Sequence, residues 1–130
     1  MMLDRYRWKI VSVGLLTVCA AAVGCNLSAN RQNSVGRKAY ESGQTSQAIA
    51  VFQRALTMDP QNSDAYYNLA SSYYQLGKQS QNQQWIAQSE QLFRQSIALD
   101  DNNVDAHRAL AVLLIETNRE KDAFELVENW

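Results

Sequence analysis

The chain is poor both in residues that interrupt helices and in residues that carry chemistry. Proline occurs once, as Pro60, and glycine five times at scattered positions, which leaves long stretches open to helix and excludes a low-complexity chain. Cysteine is confined to Cys19 and Cys25, so the sequence downstream has no internal disulfide and no thiolate metal site. Histidine occurs once, as His107, at a position that reads as packing. That removes histidine metal clusters and any choice of partner for a catalytic triad. Gly36, Gly43 and Gly77 are isolated rather than gathered into a phosphate loop, and no nucleophile elbow is present. Neither sign of charge is in excess: the net charge is −1, too little to hold a phosphate backbone, so nucleic acid is not an expected partner. Glu120, Asp122, Glu125 and Glu128 read as a solvated helix face rather than as paired catalytic carboxylates. The expectation is one all-α domain, no enzyme, no cofactor and no metal; 130 residues leave no room for a second core.

Long apolar runs are also scarce, and the one that exists is short. Arg5, Arg7 and Lys9 precede IVSVGLLTVCAAAVG, a charge-free stretch over residues 10–24. At the helical rise that run covers roughly 22 Å, less than the ~30 Å hydrocarbon core. A basic leader, an apolar stretch of this length and small residues at its end describe a secretory signal. Ala22-Val23-Gly24-Cys25 resembles the bacterial lipobox, with Ala22 where leucine is usual, and the resemblance implies cleavage before Cys25 and lipidation of its sulfur. Cys19 follows Val18, too bulky for the small-residue position. Residues 1–24 are therefore expected to be a lipoprotein signal peptide and 25–28 a lipid-anchored tether. The alternatives are an uncleaved inner-membrane signal anchor and an ordinary cleaved signal. From Cys25 onward there are nine Lys/Arg against twelve Asp/Glu, a net of −3.

Beyond the leader the chain repeats itself. A shift of 41 residues lays FQRALTMDPQNSDA (52–65) on FRQSIALDDNNVDA (93–106), with Phe, Asp, Asn, Asp and Ala coinciding. Tyr66, Leu69, Ala70 and Tyr73, followed elsewhere by Ala48, Phe52, Ala55 and Pro60, fill the scheme W-x-x-L-G-x-x-Y, A-x-x-x-F, P. Val35 and Gly36 begin the same scheme earlier; His107, Leu110, Ala111, Leu114, Ala123 and Val127 continue it later. Over residues 29–130 the pattern resembles the tetratricopeptide repeat, a helix-turn-helix unit of about 34 residues. The resemblance implies antiparallel helix hairpins in a right-handed solenoid of about two and a half repeats: 29–62, 63–103 and an incomplete 104–130. Gly43 and Gly77 are expected to end the first helices of their hairpins, with Asn62 and Asn103 capping the next ones. Gly77 to Ser89 is seven residues longer than Gly43 to Ala48. That excess is read as two extra turns on the second helix of the middle hairpin, with KQSQNQQ (78–84) as the loop before it.

Four of the six tyrosines fall within YYNLASSYYQLG, residues 66–77. Tyr66 and Tyr73 share one helical face at the repeat's packing positions. Tyr67 and Tyr74 share the next face, which the resemblance turns toward a concave groove. Asn33, Arg37, Tyr40, Tyr67, Asn68, Ser71, Tyr74 and Arg108 are then the expected groove residues, and the implied partner is a protein or peptide segment. Trp85 is expected to pack on Leu76 or, in the alternative, to anchor a partner. The carboxylate clamp of chaperone-binding members is not built: Asn68 matches, whereas Asn33 and Asp105 replace lysines, Arg37 an asparagine, and Ala109 the arginine.

The expected whole is an exported adaptor, lipid-anchored in a bacterial envelope and serving envelope, pilus or secretion assembly. Its rivals are a self-associating scaffold and the targeting end of a longer repeat protein. Leu126, Val127 and Trp130, with Phe124 on the flank, form an apolar stripe on the last helix. That stripe predicts a cover from a dimer mate, a partner helix or further chain.

Overall fold

The structure, a computed structural model, describes residues 27–130; the signal peptide, Cys19 and Cys25 lie outside the described residues. All regular structure among the described residues is helical: α1 over 27–41, then α2 Thr45–Met58, α3 Ser63–Ser80, α4 Gln83–Leu99, α5 Val104–Glu116 and α6 Glu120–Glu128. Short turns fold consecutive helices back on one another as antiparallel hairpins, and α3 also touches α5. α1 already includes Leu27 and Ser28; the Ser28 hydroxyl reaches the Met58 sulfur at 3.6 Å and ties that turn to the end of α2.

Local chemistry sets most of the boundaries. Gly43, at φ +80°, turns the chain out of α1. α2 stops at Met58, two residues before Pro60. The Asn62 and Asn103 side chains accept the backbone N–H groups of Ala65 at 2.9 Å and Ala106 at 3.0 Å, capping α3 and α5 as expected. Asn82 does the same for α4, accepting from Gln84 at 2.9 Å and Trp85 at 3.3 Å.

The middle hairpin differs from its expectation. α3 does not end at Gly77 but runs on to Ser80, where Gln81 takes the left-handed conformation at φ 55°. KQSQNQQ is mostly helix, and only residues 81–82 lie between α3 and α4. The extra length is shared by both helices instead of falling on the second alone. Gly77 acts by size. A Cβ there would stand 2.8 Å from Ile86 Cγ1 and 3.1 Å from its backbone nitrogen, so α4 enters over a bare stretch of α3.

Two apolar clusters run along the stack. The first joins Ala39, Ala48, Phe52 and Leu69, flanked by Tyr40 and Tyr73. The second joins Ala70, Phe93, Leu110, Leu113, Leu114 and Ala123, flanked by Tyr67, Tyr74, Ile86 and Leu126; Leu92 touches both. Phe52 and Phe93 are almost wholly buried, and burying such a side chain stabilises by about 1.5–3 kcal/mol. Between α3 and α4 the fit is small and polar. Ser89 donates to the Ala70 carbonyl at 2.8 Å, while Ser63 and Ser96 exchange hydroxyl-to-carbonyl bonds at 3.0 and 2.9 Å. These buried hydroxyls are satisfied, so they allow close packing without the cost of an orphaned polar group.

The C-terminal stripe is divided. Leu126 packs on the second cluster, whereas Phe124 and Val127 are 65% and 56% exposed. Trp130 leaves the stripe altogether. Its ring stacks on buried His107, centroids 4.4 Å apart, and its indole N–H donates to the Asp101 carbonyl at 3.1 Å. An aromatic partner and the Asp101 carbonyl at the α4–α5 turn, which also meets His107 Nε2 at 3.0 Å, outweigh continuation of the helix face.

Candidate functional site

The first helix of each hairpin contributes one wall of a concave surface. Asn33, Arg37, Tyr40 and Glu41 from α1, Asp64, Tyr67 and Asn68 from α3, and Asn103 and Asp105 at the start of α5 line a cavity of about 470 Å³. Residues three, four and seven apart on α1 share a face, which is why 33, 37, 40 and 41 arrive together. The floor is braced by an amide pair: Asn68 donates to the buried Asn33 side chain at 3.0 Å, and outside the lining Asn62 donates to Asn30 at 3.0 Å, a further tie between α1 and the start of α3. Asn103 is held at the far wall by hydrogen bonds to the hydroxyls of Ser63 and Ser96, at 3.1 and 3.3 Å. These contacts leave the floor little freedom.

Five of the eight expected groove residues therefore meet: Asn33, Arg37, Tyr40, Tyr67 and Asn68. Ser71 is turned to its own helix, donating to the Tyr67 carbonyl at 3.0 Å. Arg108 stands exposed beside the cavity, 3.6 Å from the Asp105 carboxylate. Tyr74 lies in a separate recess with Lys78, Ile86, Glu116 and Asn118. There its hydroxyl donates to Glu116, which also accepts from Lys78 at 2.7 Å, while the Lys78 ammonium lies 5.2 Å from the Tyr74 ring centre. Burial, then the Glu116 bond, pushes the Tyr74 hydroxyl above its ordinary range. The Lys78 and Tyr74 bonds hold the Glu116 carboxyl below its own. Trp85 is half-buried in the first turn of α4 and lines neither cavity.

The division of the tyrosines into packing and groove pairs is less clean than the face argument implies. All four are half-buried. Tyr73 packs on the first cluster and accepts from Gln53 at 3.1 Å. Tyr67 and Tyr74 pack on the second, with the Tyr67 ring 5.9 Å from that of Phe93. A ring is wide enough to cover a neighbour with one edge and a groove with the other. Tyr67 does both. Burial and the nearby Tyr67 hydroxyl raise the pKa of Tyr40.

Glu41, Asp64, Asn103 and Asp105 line the cavity without being among the expected groove residues. Asp105 stands where the carboxylate clamp has a lysine, and Asp64 occupies the equivalent place one repeat earlier, each in the first turn of its helix. Glu41 follows Arg37 by four residues, 4.0 Å away as an ion pair; that spacing was the available signal. Among the described residues, no group of three or more His, Cys, Asp or Glu side chains is placed to hold a metal ion. No helix there is long and apolar enough to cross a membrane.

Residues 36–77 match the family model of the TPR repeat. The fold is that of TPR solenoids, as structural likeness shows across three-quarters or more of the chain. The Arabidopsis OM64 TPR domain superposes with a TM-score of 0.69 at 21% identity, covering 81% of each chain. The second TPR of Spaghetti (RPAP3), bound to the HSP90 peptide SRMEEVD, gives 0.64 at 23%, covering 78% of this chain and 91% of that one. The Yersinia enterocolitica type III secretion translocator chaperone SycD gives 0.66 at 16%, covering 76% and 70%. No curated protein sequence matches the chain.

Proposed function

We propose that the protein is a non-catalytic adaptor that holds a segment of a partner protein in the concavity between α1, α3 and α5, at a membrane surface. One observation carries the first half: a preformed, amide-braced cavity lined by the first helix of every hairpin. A solved TPR structure of this fold is named as bound to a peptide, which supports the same use here. A photo-crosslinking residue at Arg37, on the cavity wall, should capture a partner in cells. The same residue at Arg54, exposed on α2, should not. Equal capture at both positions, or none at Arg37, overturns the groove.

The membrane half rests on the lipobox-like Ala22-Val23-Gly24-Cys25. Two or more acyl chains, at about 0.8 kcal/mol per buried CH2, make a stable anchor. Cells fed labelled palmitate should label the wild type and not Cys25→Ser; equal labelling, or labelling that depends on Cys19, removes the anchor. Envelope, pilus or secretion assembly is the proposed setting, and the Yersinia chaperone is by name a protein of that kind.

A second reading, self-association, has its own observation. Ile115 stands one 41-residue repeat after Tyr74, and Val127 follows Ala123 as Phe52 follows Ala48. Phe52 is buried and Tyr74 half-buried by what comes after them, whereas Ile115 and Val127 are 52% and 56% exposed. A second copy docked there would hide them. Sedimentation of the full chain in detergent should then show a dimer that Phe124→Ser with Val127→Ser dissolves; a monomer at all concentrations excludes it.

A further inference from the structure

The charge of the groove says which kind of segment it takes. Three carboxylates, Glu41, Asp64 and Asp105, line it against one guanidinium, Arg37. Arg37 is matched by Glu41 at 4.0 Å. Arg108, at the rim, is matched by Asp105 at 3.6 Å. Asp64 has no ion-pair partner among the described residues. Both aspartates are exposed, each in the first turn of its helix, so neither is walled off from a ligand. The rings of Tyr40 and Tyr67 stand among these acids in the same cavity. Aromatic faces next to carboxylates favour a cation, because the ring quadrupole and the anions attract the same charge.

Resting on the groove reading above, we propose that the occupant is a peptide segment carrying lysine or arginine, its cation seated between the α3 and α5 acids and the tyrosine rings. An acidic segment is disfavoured at the same place. The named HSP90 peptide, SRMEEVD, carries three acidic residues among its last four; here they would meet Asp64 and Asp105, and like charges across an interface repel. The net charge of −3 from Cys25 onward steers cations toward the molecule as a whole. The groove adds position to that general attraction.

The test uses the full chain in non-ionic detergent, immobilised and offered a phage-displayed library of random dodecapeptides. Enriched peptides should carry lysine or arginine at a recurring position. Replacing that residue with alanine in a synthetic copy should weaken binding about three- to tenfold, as should Asp64→Asn with Asp105→Asn, the range of one or two partly exposed ion pairs. Raising salt from about 50 to about 500 mM should weaken the wild type more than the double variant. Enrichment of Asp/Glu-rich peptides, or of apolar ones indifferent to salt, overturns the charge inference and leaves the groove standing. Enrichment of nothing overturns both. Both aspartates are exposed, so Asn should leave the helical circular-dichroism signal unchanged. If that signal falls, the peptide-side substitution and the salt series decide alone.

Discussion

Residue 77 has no space for a methyl group, and the consequence can be sized. Replacing a mid-helix glycine by alanine ordinarily gains about 0.5–1 kcal/mol through backbone entropy. Here the added carbon meets Ile86 Cγ1 at 2.8 Å, and behind it the Ile86 nitrogen and Asn82 carbonyl at 3.1 and 3.2 Å. A side chain can rotate away; the backbone of a capped helix start cannot. Overpacking of this kind costs about 1–3 kcal/mol, which outweighs the entropy gain, so Gly77→Ala is expected to be net destabilising, by up to about 2.5 kcal/mol, in a urea titration. A neutral or stabilising result would show that the α3–α4 hairpin has slack. Gly36 faces the same limit against the Phe52 ring, at 2.5 Å. At the end of an apolar pattern Gly77 is expected to stop its helix, whereas the structure uses it for close packing, as it does Gly36. An isolated glycine at the end of an apolar pattern looks alike in both roles. Only the position of Ile86, nine residues on, separates them. The Trp130–His107 stack was equally unreadable, since it joins positions 23 apart with no local pattern.

Among the elements, α6 is held by less than the others, and one carboxylate does much of the tying. Glu90 on α4 accepts from Arg119, the residue before α6, at 2.7 Å and from Arg94 on its own helix at 2.8 Å. Burial alone would push this carboxyl up. The bonds from Arg94 and Arg119 more than offset it and leave Glu90 below its ordinary value. A depressed folded value means the stabilisation is complete above the unfolded pKa, about 4.3 for glutamate, and is lost as pH falls through the lower folded one. Glu90→Gln should therefore be the less stable protein near neutrality, by less than about 1 kcal/mol for pairs this exposed. The difference should shrink as both are taken below pH 4. Thermal melts across that range measure it; a difference that grows in acid would contradict the assignment. The helix starts at Asn62 and Asn103 were legible because capping is local chemistry. The α4–α6 tie was not, because Glu90 and Arg119 belong to no common repeat position.

Taken whole, the molecule tapers. The middle hairpin has 18- and 17-residue helices, whereas the last has 13 and 9. Ala123 is the one buried residue of α6. Opening free energies in a repeat stack follow the neighbours each unit has. Hydrogen exchange of the full chain is expected to be slowest in α3 and α4 and fastest in α6, with amides near Phe124 the least protected. Uniform protection through Glu128 would show that something else covers the end. The groove was legible at the scale of helix faces, because the first helices of successive hairpins present the same positions to one side. Its acidic lining was less so: Asp105 stands where the clamp of chaperone-binding members has a lysine, whereas Asp64 matches no clamp position and sits in the first turn of its helix.

The overhang of the middle hairpin has a practical side. Its tip, Ser80 through Gln84, is uncharged, mostly exposed, and joined across a turn of two residues. It closes the hairpin with the longest helices among the described residues, and none of these five residues lines the groove. Gln81 alone holds a left-handed backbone there, a conformation glycine adopts freely. The tip is thus a natural socket: a reporter domain flanked by glycines and spliced in after Gln81 would stand clear of the concave face and of the Trp130–His107 stack.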